Sequence, residues 1–491
     1  MPFNRSVIFY RVAERIVPLM TFLMITMPVW LSFFHPAVAA YLIMAYLLYF
    51  IYKSIKTIYF AGVSFKIMQE AKQIDWHERM QQVGHSDNVY HVVMIVNCKE
   101  SFEKVSKTLE KLVKQSFDPK EVIVVLAMEE LEGEPAKTRA GQLICKYKTE
   151  FRDLFTTFHP LKPGEEIGKA SNAAYAGKII DKYFQDKKID RKNILVTVCD
   201  ADSQLPHHYL SYLTYEFLRD ESRQYHFYWA PVLLYNHFWQ LWLPVRIQMI
   251  LSSVLRLSFL SMKDDLIQIS TYSTSLWLLH SVGFWDVDII PEDWHIQLQA
   301  FFAHGDKIRT IPIYLPIVRD GVRAEGFINT FKSRYAQERR WAWGITDIPY
   351  ALVRAFETPQ IPWIIKLKKI GFLIEIHLFW PTSFFLLTLS ASIPSLVNPA
   401  FGRTVLGFLL PKFSSFILTI SSLMLIAILY FDYHVRRQIK IKTDWKNIPL
   451  LIVQWYLLPV ISFFLSSLPA LDAHTRILLG KKIDYKPTKK I

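Results

Sequence analysis

From residue 16 to residue 52 the chain contains no Asp, Glu, Lys or Arg. Such a run constrains the fold strongly, because about 20 apolar residues already cross a bilayer core. It reads as a hairpin of two rather short spans. Three further apolar stretches follow, at 376–402, 413–431 and 448–471. Ala37-Val38-Ala39 imitates a signal-peptide cleavage site. The apolar run before it exceeds a signal core of about 7–15 residues, and more apolar sequence follows, so the reading is of retained helices. The middle, from about 88 to 346, has the texture of a soluble domain. The expected plan is membrane hairpin, globular domain, membrane bundle.

The chain's net charge of +14 excludes little by itself. A nucleic-acid binder would gather it on one groove face. Here much of it borders the apolar stretches, at Lys53, Lys56, Lys366, Lys368, Lys369, Arg436, Arg437, Lys440, Lys442 and Lys446. That is the positive-inside pattern. It places the middle domain in the cytoplasm of a multi-pass membrane protein, with membrane lipids as partners and no nucleic acid. Cys98, Cys145 and Cys199 lack metal-ligand spacing and read as reduced, buried thiols. The basic tail after residue 471 conflicts with five simple crossings, which would put it outside. Either the segment around Pro459 is re-entrant or a span is miscounted.

Within the middle domain, apolar runs at 91–97, 121–127 and 193–199 read as strands, with another at 155–159. Helical patterns fall near 101–115 and 170–182. This alternation predicts a mostly parallel α/β sheet, whose ligand sits beyond the carboxyl ends of the strands. The amphipathic segment 237–260 reads equally as a membrane-surface helix or as a buried core helix.

Four clusters carry the chemistry. Asp200 and Asp202 close the run VTVC, and residues two apart at a strand end point the same way. Two carboxylates aimed at one point repel unless a cation lies between them, and hard oxygen ligands suit Mg²⁺ or Mn²⁺. The bland alternative is a solvated acidic loop. Glu292-Asp293 precede a helix, where acidic residues are favoured anyway, but Asp293 also suits a general base with Glu292 tuning it. Gln337, Arg340 and Trp341 fall at i, i+3 and i+4, on one helix face, where Arg can steady a diphosphate and Trp can stack on a sugar. A basic amphipathic helix at the membrane surface reads as well. Lys169 and Asn172, in GKASNAAYAG, sit at a small-residue helix start that can hold phosphate, or can simply pack.

In this order, followed by membrane spans, the clusters resemble the membrane-embedded family 2 glycosyltransferases of the cellulose-synthase and hyaluronan-synthase kind. The resemblance implies a GT-A (nucleotide-diphospho-sugar transferase, Rossmann-like) cytoplasmic domain inserted between transmembrane α-helices. The implied layout is a hairpin at 1–53, an amphipathic linker at 54–88 and the GT-A domain at 89–345. An interfacial helix at 346–369, membrane helices at 370–471 and a basic tail at 472–491 follow. It also implies a metal-dependent, inverting transfer from a nucleotide sugar to a carbohydrate or lipid-linked acceptor. Asp202 with Asp200 would hold Mg²⁺ or Mn²⁺ and the diphosphate, and Asp293 would deprotonate the acceptor. Gln337, Arg340 and Trp341, with Glu292, would hold the donor diphosphate and shape the acceptor site. Lys169, Asn172, Glu100 and Glu129 would line the nucleotide.

The chain departs from that family at Val96-Asn97-Cys98-Lys99-Glu100, where only the Glu is kept. It departs again at Leu126-Ala127-Met128-Glu129-Glu130, where an Asp is usual, and at Pro291, where a Thr is usual. These changes leave the nucleobase open: UDP is the default and GDP stays in play. Processive polymer synthesis stands slightly ahead of single transfer to a lipid carrier. An inactive nucleotide-binding scaffold and a transporter are the rivals from other classes. A transporter predicts ionisable residues inside the spans. The apolar stretches offer only His35, His377 and the neighbouring Glu375.

Overall fold

The computed structural model describes residues 7–84, 88–262 and 266–483. Residues 484–491 of the basic tail therefore lie outside the described residues.

Two long helices open the chain, α1 (Val7–Phe34) and α2 (Pro36–Ala71). At 36 residues, α2 extends about 54 Å, well past a hydrocarbon core of about 30 Å. Its second half leaves the apolar zone at Lys53 and packs on the globular domain through Ala61, Phe65 and Met68. A short helix, α3 (Trp76–Val83), is capped by Asp75, whose carboxylate accepts from the His77 and Glu78 amides.

The first half of the domain runs β1 (Tyr90–Asn97), α4 (Phe102–Val113), β2 (Val122–Glu129), α5 (Glu134–Tyr147), β3 (Asp153–His159), α6 (Lys169–Asp186) and β4 (Ile194–Asp200). Every residue of β2 and β4 is buried, as befits strands covered on both faces. Then come α7 (Tyr209–Arg219), β5 (His226–Trp229), β6 (Val232–Asn236), α8 (Leu243–Ser261), β7 (Tyr272–Ser275) and α9 (Leu276–Ser281). The last elements are α10 (Glu292–His304), β8 (Arg309–Pro312), β9 (Ile317–Asp320), α11 (Phe327–Ala342) and α12 (Asp347–Glu357).

The main sheet has the order β3-β2-β1-β4-β7-β5-β8, and β6 pairs with β9 in a second, two-stranded sheet. Strands β1 to β4 are parallel, whereas β7 runs antiparallel to both β4 and β5. The sheet is thus a mixed, GT-A-like α/β sheet, as expected. The chain builds outward from β1 to β3 and then returns to place β4 on the other flank of β1. A crevice opens at that reversal, above the carboxyl ends of the strands.

Two non-local pairings fill this crevice. Because β7 is antiparallel to β4, with Tyr272 opposite Val198, the residues just before β7 meet the end of β4. A bridge between Gln204 and Val318 brings Arg319 beside the turn that carries Asp202.

Among the described residues, six helices are long and apolar enough to cross a membrane: α1, α2, α8, Trp363–Thr388, Val405–Gln438 and Trp445–Leu478. Helix α8 stands apart, since its apolar window is 67% buried inside the protein against 11–39% for the others. It lies between α2 and the domain, so of the two readings of 237–260 the buried one fits. The helix at the expected span 376–402 starts earlier, at Trp363, and ends at Thr388, beyond which residues 390–402 form three short helices. The final span is broken rather than uniform, with a π-turn at Phe463–Ser467. The Leu465 carbonyl there accepts from the Gln248 side chain of α8.

The domain is pinned to the helices by charge as well as by packing. Tyr235 OH donates to Asp432 Oδ1 at 3.0 Å, and Arg436 Nε donates to Asp432 Oδ2 at 3.0 Å. Arg436 is 3% exposed and Lys366 is fully buried. Lys366 donates to the carbonyls of Ala355 and Thr358, closing the end of α12. These two residues of the basic borders are therefore structural. Cys199 is buried and Cys98 half-buried, but Cys145, expected to be buried, faces solvent.

Candidate functional site

Asp200 ends β4 and Asp202 follows on the turn, whose Ala201 carbonyl accepts from Thr108 Oγ1 at 2.7 Å. Both residues are buried, Asp200 at 9% and Asp202 at 4% exposure. Two cations of the chain itself meet them. Lys169 Nζ, at the start of α6, lies 2.8 Å from Asp200 Oδ1 and 2.8 Å from Glu292 Oε1. Arg319 Nη1 lies 2.6 Å from Asp200 Oδ2, and its Nε lies 2.9 Å from Asp202 Oδ1. Burial alone would push the Asp200 carboxyl up. Arg319 and Lys169 outweigh it and hold the group well below the ordinary carboxylate range. Lys169 is buried too, yet Asp200 and Glu292 keep its ammonium charged far above neutrality.

Glu292 and Asp293 begin α10. Burial, together with the neighbouring Asp293 and Asp200 charges, raises Glu292 to about 7 against the pull of Lys169. Burial also raises Asp293, which its hydrogen bonds moderate. Asp293 Oδ2 accepts from the Ser270 amide at 2.8 Å and Oδ1 from the Trp294 amide at 3.0 Å. Ser270 joins all the groups. Its hydroxyl donates to Asp200 Oδ2 and accepts from Arg319 Nη1 at 2.5 Å, while its carbonyl accepts from Lys169 Nζ at 2.5 Å. Its φ is +72°, a left-handed conformation that costs a non-glycine residue about 1–3 kcal/mol and recurs at functional sites.

These groups stand around an open cleft lined by Glu100, Glu129, Lys169, Asn172, Asp200, Asp202, Arg319 and Arg340. Seven residues expected at a nucleotide site thus share one cavity, and Glu292 and Asp293 join it through Lys169 and Ser270. Glu129 Oε2 is 3.0 Å from His159 Nδ1, and Glu165 holds the other ring nitrogen at 3.0 Å. Asn172 donates to the Ala127 carbonyl at 3.1 Å, but its buried Oδ1 accepts no hydrogen bond. An orphaned acceptor in a cleft suits a ligand N–H.

The expected single face of Gln337, Arg340 and Trp341 divides. Arg340 lines the cleft. Gln337 is buried and accepts from Arg334, which also bonds Glu338 and, at 2.7 Å, Gln248 of α8. The Trp341 ring lies against the Arg334 guanidinium at 4.8 Å and that of Arg256 at 5.6 Å. Consecutive helical positions differ by about 100°, so Arg340 and Trp341 point different ways.

Whether a divalent ion suits this place turns on the donors. Among the described residues, no group of three His, Cys, Asp or Glu converges. Two hard carboxylates beside a phosphate-binding cleft nonetheless match Mg²⁺ or Mn²⁺, which keep waters and share substrate phosphates. Asp200 and Asp202 fit such an ion once Arg319 yields. Sequence reasoning missed both Arg319 and Ser270, because no local pattern marks either.

Residues 195–431, a little under half of the chain, match the family model "Glycosyl transferase family group 2". The matched segment starts in β4 and carries Asp200, Asp202, Glu292, Asp293, Gln337, Arg340 and Trp341. No curated protein matches the sequence significantly. Among solved structures, a mannosyltransferase from Pyrobaculum calidifontis in complex with GDP-Man and Mn²⁺ is 14% identical, with a TM-score of 0.42, covering 76% of this chain and 98% of that one. S. aureus TarS residues 1–349, with UDP-GlcNAc, is 12% identical with a TM-score of 0.34, covering 68% and 91%. At these values no residue role transfers from either protein.

Proposed function

We propose that the chain is an inverting glycosyltransferase of the membrane. It moves a sugar from a nucleotide-diphosphate donor, UDP-linked by default, onto a growing polysaccharide. The observation that carries this reading is the joining of Asp293 to the Asp200–Lys169–Arg319 cluster through one residue, Ser270. A base and a set of phosphate-binding cations thereby share one frame.

The diphosphate meets Lys169, Arg319 and Arg340 at the cleft, where fixed cations offset the charge that grows on it as the sugar departs. Bound at Asp202 and Asp200, Mg²⁺ or Mn²⁺ supplies further charge neutralisation. Asp293, partly exposed and raised in basicity by burial, takes the proton from the acceptor hydroxyl as its oxygen attacks the anomeric carbon. Direct displacement inverts that centre. Asn172 Oδ1 and Glu129 face the nucleoside end.

The domain is read as cytoplasmic, on the basic residues bordering the spans. Its firm seat on α2, α8 and Val405–Gln438 favours an acceptor delivered at, or extruded through, the membrane helices. The test is to incubate membranes holding the protein with Mn²⁺ or Mg²⁺ and a panel of UDP- and GDP-sugars, then analyse nucleotide release and product. Metal-stimulated release with a lengthening glycan is expected. Release from no donor would sink the reading, and a product of one sugar on a lipid would replace polymer synthesis by single transfer.

A further inference from the structure

Lys169 divides its charge between Asp200 and Glu292, whereas Arg319 touches both Asp200 and Asp202. Its guanidinium occupies the oxygens a divalent ion would take, and a third contact to Ser270 Oγ at 2.5 Å completes its seat. The side chain is 17% exposed and lines the cleft. Its backbone is fixed by the Gln204–Val318 bridge, so only the side chain needs to move for the oxygens to be released. Placing a dication beside a seated guanidinium sets like charges together in a poorly solvated site, which is unfavourable.

We propose that Arg319 competes with the divalent ion for Asp200 and Asp202. The metal then enters strongly only when a nucleoside diphosphate draws the guanidinium onto its own oxygens. Arg319 is thus a binding residue with two alternative anionic partners, the acidic pair and the diphosphate. The consequence is ordered loading: free metal binds weakly, and metal and nucleotide strengthen each other. Coupling of this kind is reciprocal, with the same factor in both directions, typically about 5–150-fold. The inference rests on the transferase reading for the identity of the diphosphate, but the competition itself does not.

The experiment uses full-length protein in detergent and follows Mn²⁺ binding by its electron paramagnetic resonance signal, without nucleotide and with saturating UDP or GDP. For the wild type, Mn²⁺ alone is expected to bind about ten-fold more weakly than with the diphosphate. R319Q is expected to bind Mn²⁺ alone about ten-fold more tightly than wild type, and to gain little from nucleotide. R319K, which keeps the charge without the fork, is expected to fall between them and guards against misfolding of R319Q. Equal Mn²⁺ affinity in wild type and R319Q, or no Mn²⁺ binding by either, overturns the proposal. Competition without turnover of any donor would leave this inference standing and sink the transferase reading. Turnover without competition would do the reverse.

Discussion

The Ser270 amide donates to Asp293 Oδ2 at 2.8 Å while the Ser270 hydroxyl donates to Asp200 Oδ2. One residue, held at φ +72°, therefore registers the candidate base against the acidic pair. The two bonds use different atoms, so they can be separated. Glycine adopts this φ without strain and keeps the amide, but lacks the hydroxyl. S270G is expected to leave the fold at least as stable and kcat within a few-fold, while the donor KM rises about ten-fold. Equal losses in kcat and KM would show that the hydroxyl does not act on the donor side alone.

A second expectation concerns the base. D293N keeps the shape of the side chain but cannot accept the acceptor proton, so kcat should fall by about 10²–10⁴-fold with nucleotide affinity nearly unchanged. Glu292 titrates near pH 7. As it ionises, its charge beside Lys169 and Asp293 raises the basicity of the site. The wild-type rate should therefore climb with pH through about 7, and E292Q should lose that limb. A wild-type profile flat from pH 6 to 8 would remove Glu292 from the tuning role.

Much of this site was legible because it is local. Strands β1 to β4 announce themselves as apolar runs, and Asp200 marks the end of one. Lys169 and Glu292-Asp293 stand at helix starts that composition reveals. Ser270 and Arg319 are different in kind. An antiparallel strand places the first and a single bridge to Gln204 places the second, and neither long-range pairing leaves a local trace. The ends of two long helices are hidden from the sequence for a related reason. Helices α2 and Val405–Gln438 run on beyond the apolar zone to pack on the domain, so hydropathy alone does not mark their ends. Arg340 and Trp341 part because i+3 and i+4 positions span a broad arc, wide enough to face two neighbours.

Among the described residues, Glu292 is ion-paired with Lys169. K169M strands that buried carboxylate and removes one of the two cations at Asp200. Breaking a buried pair on one side costs about 3–5 kcal/mol. A marked fall in thermal midpoint is expected. The double variant K169M/E292Q, which removes the stranded charge, should regain part of it. Identical midpoints for the single and double variants would show that the pair is not coupled.

The last expectation concerns the clamp behind the base. His295, one turn into α10 and 2% exposed, lies 2.7 Å from Asp347 Oδ1 on α12 and 2.9 Å from Asp286 Oδ2. Burial alone would lower its pKa. The hydrogen bonds and charges of Asp286 and Asp347 outweigh that and raise it from 6.5 to about 9. A group that holds its proton more tightly when folded stabilises the fold fully below its unfolded pKa and loses that contribution as pH rises through the folded one. The clamp is therefore complete below about pH 6.5 and fades toward pH 9, a span worth on the order of 3 kcal/mol. Thermal midpoints measured from pH 6 to 10 should fall across this window in the wild type and more gently in H295Q. Because α10 carries Asp293 at its start, transfer activity at pH 9 should also become less stable on incubation. A wild-type midpoint that does not change across the window would rule out a protonated His295.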